Sequence, residues 1–211
     1  MEKNVERNRK IALTGGFSAL IVVLGITRLG FISLSPTISL TIMHIPVILA
    51  AIMCGLPGGI ISGAVFGIFS LVQAAMSPSG GLDPLFVNPL ISILPRMLFG
   101  LVAWGLWKLF TCIPHMPKTV CAAVSAFLST LVHTCLVIGS IYLLYNAKIT
   151  EAMGGAGYIA GLLILAPNAL MEAAAAVIVC SAVIGSVTIA AGMKSRLSRE
   201  NENNQESAEE K

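Results

Sequence analysis

The sequence predicts an all-α bundle of six membrane-spanning helices, and three observations carry the prediction. Over 211 residues the chain is 56% hydrophobic and 11% charged, with a mean hydropathy of +0.88, a balance suited to hydrocarbon rather than to a water-facing surface. Its apolar runs approach the roughly 20 residues that cross a bilayer as a helix. The links between them are Gly/Pro clusters too short to hold a soluble domain. A soluble globular fold is excluded.

The first span, roughly residues 9–30, follows the charged opening Met1–Lys10 and has no small-residue cleavage site, so it reads as an uncleaved span. Ala12 and Gly16, with Gly15 and Ala19 on the adjoining face, are small residues spaced by four, the pattern that lets another helix approach closely. The second span, roughly 38–54, is short. The preceding Ile32-Ser-Leu-Ser-Pro36 loop could complete it by dipping into the protein. After Cys54-Gly-Leu-Pro-Gly-Gly59 the third span runs over roughly 58–77, and its Gly59, Gly63 and Gly67 repeat the small-residue spacing, read here as packing within the bundle.

Beyond Ser77-Pro-Ser-Gly-Gly-Leu-Asp-Pro84, prolines bracket the start of the fourth span, roughly 87–112. The fifth, roughly 117–145, begins after Ile113-Pro-His-Met-Pro117. The sixth, roughly 158–193, follows Met153-Gly-Gly-Ala-Gly157 and is long enough to begin as a separate short segment before Pro167. Residues 1–193 therefore form one membrane domain. Residues 194–211 are polar and free of aromatic side chains, the composition of a disordered, solubilising cytoplasmic tail.

Orientation follows from Lys and Arg at the span ends, which accumulate on the cytoplasmic side. Lys3, Arg7, Arg9, Lys10, Lys108, Lys118, Lys194, Arg196 and Arg199 fall on one side, against Arg28 and Lys148 on the other. Both termini are therefore expected in the cytoplasm. The loops 33–40, 77–86 and 146–157 are then external, with Asp83, Lys148 and Glu151 as their charges and Arg28 at the external end of span one.

That frame brings five polar side chains to similar depth in the outer half of the bundle: His44, Asn88, Arg96, Asn168 and Glu172. An ionisable group in hydrocarbon costs several kcal/mol unless it is paired or faces a polar cavity, so these positions mark a candidate binding site. Asn168 and Glu172 are four apart and share a helix face. Pro167 before them leaves a gap in the backbone hydrogen-bond ladder. Arg96 carries a permanent charge on a planar fork that suits a carboxylate, belonging either to a ligand or to Glu172 in a pair that locks two helices. His44 is a ligand contact or a satisfied core residue. His133 is read as structural and His115 as a cytoplasmic loop residue.

The five cysteines form no CxxC pair and lie in or beside apolar segments, where Cys behaves as a small hydrophobe, so neither a metal site nor a disulfide framework is predicted. No GxxxxGK[ST], HExxH or GxSxG motif is present. The pI near 8.7 comes from the basic flanks and does not point to nucleic acid. Two functions from other classes stay open at this point. One is an intramembrane enzyme using His44 or Glu172 on a lipid, and the other is a self-contained channel or secondary transporter gated by Arg96 and Glu172.

The runs Thr41-Ile-Met-His-Ile-Pro-Val-Ile-Leu-Ala50, Cys54-Gly-Leu-Pro-Gly-Gly-Ile60, Asn88-Pro-Leu-Ile-Ser-Ile-Leu-Pro-Arg-Met-Leu-Phe-Gly100 and Ala166-Pro-Asn-Ala-Leu-Met-Glu172, in this order, resemble the substrate-binding S components of bacterial energy-coupling factor (ECF) vitamin transporters. The resemblance covers all but the polar tail. It implies a non-enzymatic, multi-pass subunit of the bacterial cell membrane, with a pocket near the external face. Loops between spans one and two, three and four, and five and six would cap that pocket. It also implies partners: a transmembrane coupling subunit and two ATP-binding cassette ATPases. These would use the ATP, while this chain takes no cofactor and no metal.

In the family, small residues on span one contact the coupling subunit, which assigns that role to Ala12, Gly15, Gly16 and Ala19. Gly15-Gly16 stand where alanine is frequent, which leaves the contact register open. The loaded subunit would topple in the membrane to present its pocket to the cytoplasm. The His-Ile-Pro and Leu-Pro-Arg runs look most like members assigned to pantothenate, although folate, riboflavin or a thiamine precursor could use a similar polar set.

Overall fold

The computed structural model describes residues 2–27, 29–35, 38–76, 83–152, 154–155 and 157–209, without the side chains of residues 2, 31–40, 83, 149, 152 and 200–209. Arg28 and the tip of the loop after span three, residues 77–82, lie outside them. The chain is a helical bundle: α1 (Glu2–Ile26), a hairpin of β1 (Phe31–Ser35) and β2 (Ile38–Thr41), then α2 (His44–Cys54) and α3 (Leu56–Met76). A 3-10 turn at Asp83–Val87 leads into α4 (Pro89–Ser92), α5 (Leu94–Thr111), α6 (Lys118–Ala152) and α7 (Tyr158–Glu209). Among the described residues, five segments are long and apolar enough to cross a bilayer, and α2 is a shorter apolar helix that makes the sixth. The protein is a multi-pass membrane protein.

The second span departs from expectation. Helix was predicted from residue 38, but it begins at His44, and β2 occupies residues 38–41. The two strands pair antiparallel, with Phe31 opposite Thr41, Ile32 opposite Leu40 and Ser33 opposite Ser39. The reason is visible in Ile32-Ser-Leu-Ser35 and Ile38-Ser-Leu-Thr41, where apolar and hydroxyl residues alternate with the period of two that belongs to a strand. A second departure concerns the start of span four, which is broken into the 3-10 turn, α4 and α5. Pro89 opens α4 and Pro95 lies in the first turn of α5, positions where a missing N–H costs no helical bond.

Span six does not begin as a separate segment: α7 runs continuously through Pro167. It also continues as helix over residues 194–209, where the composition predicts an unstructured tail. Glu, Gln, Arg and Ala in that stretch are competent helix formers, and extending an existing helix avoids the unfavourable nucleation step.

The backbones of α3 and α5 approach each other closely. A Cβ added at Gly59 would lie 2.7 Å from the carbonyl oxygen of Gly100, and one at Gly67 would lie 2.6 Å from Cα of Ile93. Gly63 likewise meets the Arg96 carbonyl. The glycine stripe of span three therefore packs within the bundle, backbone against backbone. This contact sets the position of Arg96. The main core gathers Ile21, Val47, Ile48, Phe66, Phe99 and Ala126 from α1, α2, α3, α5 and α6. In contrast, only 17% of the apolar stretch of α1 is buried, against 50% for α6, so α1 lies on the outside of the bundle.

Candidate functional site

Among the described residues, four acidic or basic side chains from four helices are buried in the interior: His44 of α2 (0% exposed), Arg96 of α5 (6%), His133 of α6 (8%) and Glu172 of α7 (6%). The His44 and His133 rings are close to parallel, 13° apart with centroids separated by 6.3 Å. Phe99 lies 4.7 Å from the His133 ring and 6.4 Å from that of His44. Phe66 lies 5.9 Å from His133 on another side. The same Phe66 contacts the Arg96 guanidinium at 5.6 Å, and Phe86, from the 3-10 turn, covers it at 4.9 Å. Arg96 is thus held between two aromatic faces, a cation–π arrangement that gains strength away from water.

Arg96 Nη1 donates to the Ile91 carbonyl at 2.5 Å, a group on the break between α4 and α5. Its Nε has no hydrogen-bond partner. Nor do Nδ1 and Nε2 of His44, Nε2 of His133 and Oδ1 of Asn168. The backbone of Thr41 and of Glu172 lies beside the His44 ring without meeting hydrogen-bond geometry. Unmet buried donors and acceptors cost about 1–3 kcal/mol each, so a protein that concentrates them in one region keeps that capacity for another purpose.

Glu172 is differently committed. Its Oε1 accepts the Thr41 backbone N–H at 2.7 Å and the Asn168 amide at 3.5 Å. Thr41 is the last residue of β2, so this carboxylate ties the base of the hairpin to α7. Arg96 and Glu172 do not pair with each other. Among the described residues the ion pair present is Lys10–Glu6, exposed on α1 at 2.7 Å.

Of the five residues singled out from sequence, His44, Arg96, Asn168 and Glu172 are brought inside. Asn88 sits at the edge: its Oδ1 accepts Leu90 N–H at 3.0 Å as the N-cap of α4, and its Nδ2 donates to the Tyr145 hydroxyl at 3.3 Å. Tyr145 itself marks a kink in α6 (φ −136°, ψ 39°). His133, read from sequence as structural, lies between His44 and the Arg96-bearing aromatic cluster. A signal for it exists. Ser125, Ser129 and His133 are spaced by four on α6, and all are buried, forming a polar stripe turned inward. Three polar residues on one face of a span point to an interior site more strongly than a lone histidine does.

On α1, Ala12, Gly15, Gly16 and Ala19 are exposed, and a Cβ at Gly15 or Gly16 would meet nothing within 4 Å. A groove of about 730 Å³ beside them is lined by Lys10, Thr14, Gly15, Ser18, Pro57 and Ile61, among others. Span one therefore has two different faces, one packed on the core through Ile21 and one unpartnered.

Residues 9–184 match the family model described as ECF transporter, substrate-specific component. The chain belongs to that family. This S component is 27% identical over 192 residues to the pantothenic acid transporter PanT of Lactococcus lactis subsp. cremoris, covering 84% of this chain and 93% of the relative. It is 32% identical over 100 residues to the pantothenate transporter PanT of Leuconostoc mesenteroides, covering 46% of this chain and 49% of that protein. The S component is thus a transporter subunit by family.

Proposed function

We propose that this S component binds pantothenate and delivers it to an ATP-driven ECF importer in a bacterial cell membrane. The observation that carries the reading is Arg96: a buried guanidinium held between Phe66 and Phe86 with Nε unused, in a chain whose relatives bear the name of a pantothenate transporter. Pantothenate offers a carboxylate for the guanidinium, an amide and hydroxyls for neutral partners, and methyl groups for the aromatic wall. Arg96 would take the carboxylate, with His44 and Asn168 around it and Asn88 at the rim. Glu172 would contribute mainly by holding the β1–β2 hairpin over the site.

Import would require the coupling subunit and the two ATPases, which supply ATP hydrolysis. This chain takes no cofactor and performs no chemistry on its ligand. The unpartnered face of α1, with Ala12, Gly15, Gly16 and Ala19, would receive the coupling subunit, and the basic flanks would place both termini in the cytoplasm. The test is mass spectrometry of small molecules released from the detergent-purified protein, joined to a thermal-shift panel of vitamins. Pantothenate released unchanged at near one-to-one stoichiometry is expected. A different vitamin would replace the substrate assignment, and a converted product would replace the binding reading with an enzymatic one.

A further inference from the structure

We propose that His133, facing His44, is a specificity-determining residue that reads the hydroxyl groups of the ligand, while Arg96 takes its carboxylate. The inference rests on the pantothenate reading above and assigns roles within the same site. His133 is buried to 8% exposure with Nε2 unpartnered, and His44 is fully buried with both ring nitrogens unpartnered. The two rings face each other from α6 and α2, nearly parallel, with centroids 6.3 Å apart.

The chemistry of the two kinds of side chain divides the work. A guanidinium only donates and is always charged, so it matches a carboxylate, which only accepts. A neutral imidazole carries one donor and one acceptor, the complement of a hydroxyl, which does both. At neutral pH an unperturbed imidazole is mostly uncharged. The unpartnered Nε2 of His133, with the His44 imidazole beside it, therefore forms a receptor for a hydroxyl group beside the receptor for charge.

Placement supports this division. Phe99 at 4.7 Å and Phe66 at 5.9 Å hold the His133 ring, and Phe66 also touches Arg96, so the orientation of both polar groups is set by shared aromatic packing. The hydroxyls one turn back on α6 do not serve the ring. Ser129 and Thr130 both return their hydrogen bonds to the Ala126 carbonyl. A site built to hydrogen-bond a ligand hydroxyl rejects an analogue without it, because the buried polar atoms are then left unmet.

The experiment is isothermal titration of the detergent-purified full chain with pantothenate and with N-(3,3-dimethylbutanoyl)-β-alanine, which keeps the carboxylate and amide but lacks both hydroxyls. Wild type is expected to prefer pantothenate by about 100-fold or more. His133→Phe is expected to bind pantothenate about 10- to 100-fold more weakly while its affinity for the analogue stays within about threefold, so discrimination collapses. His133→Gln, which retains a donor and an acceptor, is expected to recover part of it.

Equal weakening of both ligands by His133→Phe would mean a packing role and overturn the assignment. So would wild-type protein that binds the two ligands equally, a comparison that needs no variant to fold. If wild type binds neither ligand, the pantothenate reading itself falls and this inference with it. That outcome is distinct from binding without discrimination.

Discussion

At the scale of single residues, the site is defined by which polar atoms the fold satisfies and which it leaves unmet. Arg96 has one hydrogen bond to Ile91, two aromatic neighbours and an unused Nε. Replacing it with glutamine removes the charge and most donors. Arg96→Gln is expected to weaken a carboxylate ligand by about 10- to 100-fold, the value of a charge-assisted hydrogen bond. No ion pair to Glu172 is broken by the change. Calorimetry measures the affinity, and the melting temperature without ligand, expected to fall modestly as the Ile91 bond and the contacts with Phe66 and Phe86 are lost, separates a lost contact from a damaged fold. A large fall in melting temperature with affinity intact would assign Arg96 to stability instead. Asn88 shows the limit of reading residues one by one, since its side chain is spent on capping α4 and on the Tyr145 hydroxyl. From sequence it is only a polar residue before a proline.

At the scale of elements, two contacts determine how the site is framed. The first is the bond from Thr41 N–H to Glu172, which ties β2 to α7. Glu172→Ala removes the acceptor and frees the hairpin base, and a cost of about 1–3 kcal/mol is expected from the unmet N–H. Glu172→Gln keeps an acceptor oxygen and should lose less. Hydrogen exchange at the Thr41 amide reads this directly: faster exchange in the alanine variant with near wild-type protection in the glutamine variant is the expected pattern. The second contact is the glycine seam between α3 and α5. Gly63→Leu places a side chain against the Arg96 carbonyl, and overpacking of this kind typically costs about 1–3 kcal/mol, more where backbone must move. A lowered melting temperature together with weakened ligand binding is expected, because the seam positions Arg96. Gly16→Ala is the control: nothing lies within 4 Å, and stability should be unchanged or slightly raised in a thermal melt, because Ala is the better helix former.

At the scale of the whole molecule, an outlying α1 with exposed small residues is joined to a bundle whose polar groups are turned inward. Gly16→Trp is expected to leave ligand affinity at the wild-type value and to abolish uptake in vesicles carrying the coupling subunit and both ATPases. Loss of ligand binding by the isolated variant would remove the interface assignment from span one. The six-helix membrane architecture was legible from hydropathy and breakers, because apolar length against bilayer thickness is a local property of the chain. So was the burial of His44, Arg96 and Glu172, since an ionisable group in an apolar span has few places to go. The hairpin at residues 31–41 is also written locally, in alternation of period two, but residues 38–41 are apolar enough to extend the second span and Ile32-Ser-Leu-Ser-Pro36 reads as a loop that completes it. Partnership, by contrast, is a matter of three dimensions. That Glu172 serves Thr41 and not Arg96, that His133 faces His44, and that one glycine stripe packs inward while another stays open all depend on helix rotation and on contacts between residues distant in sequence. The amino-acid sequence by itself determined the spans and their buried polar groups, because the bilayer acts on each segment separately; only the tertiary structure decided which of those groups meet, because hydrogen bonds and ring contacts depend on relative positions that no single segment encodes.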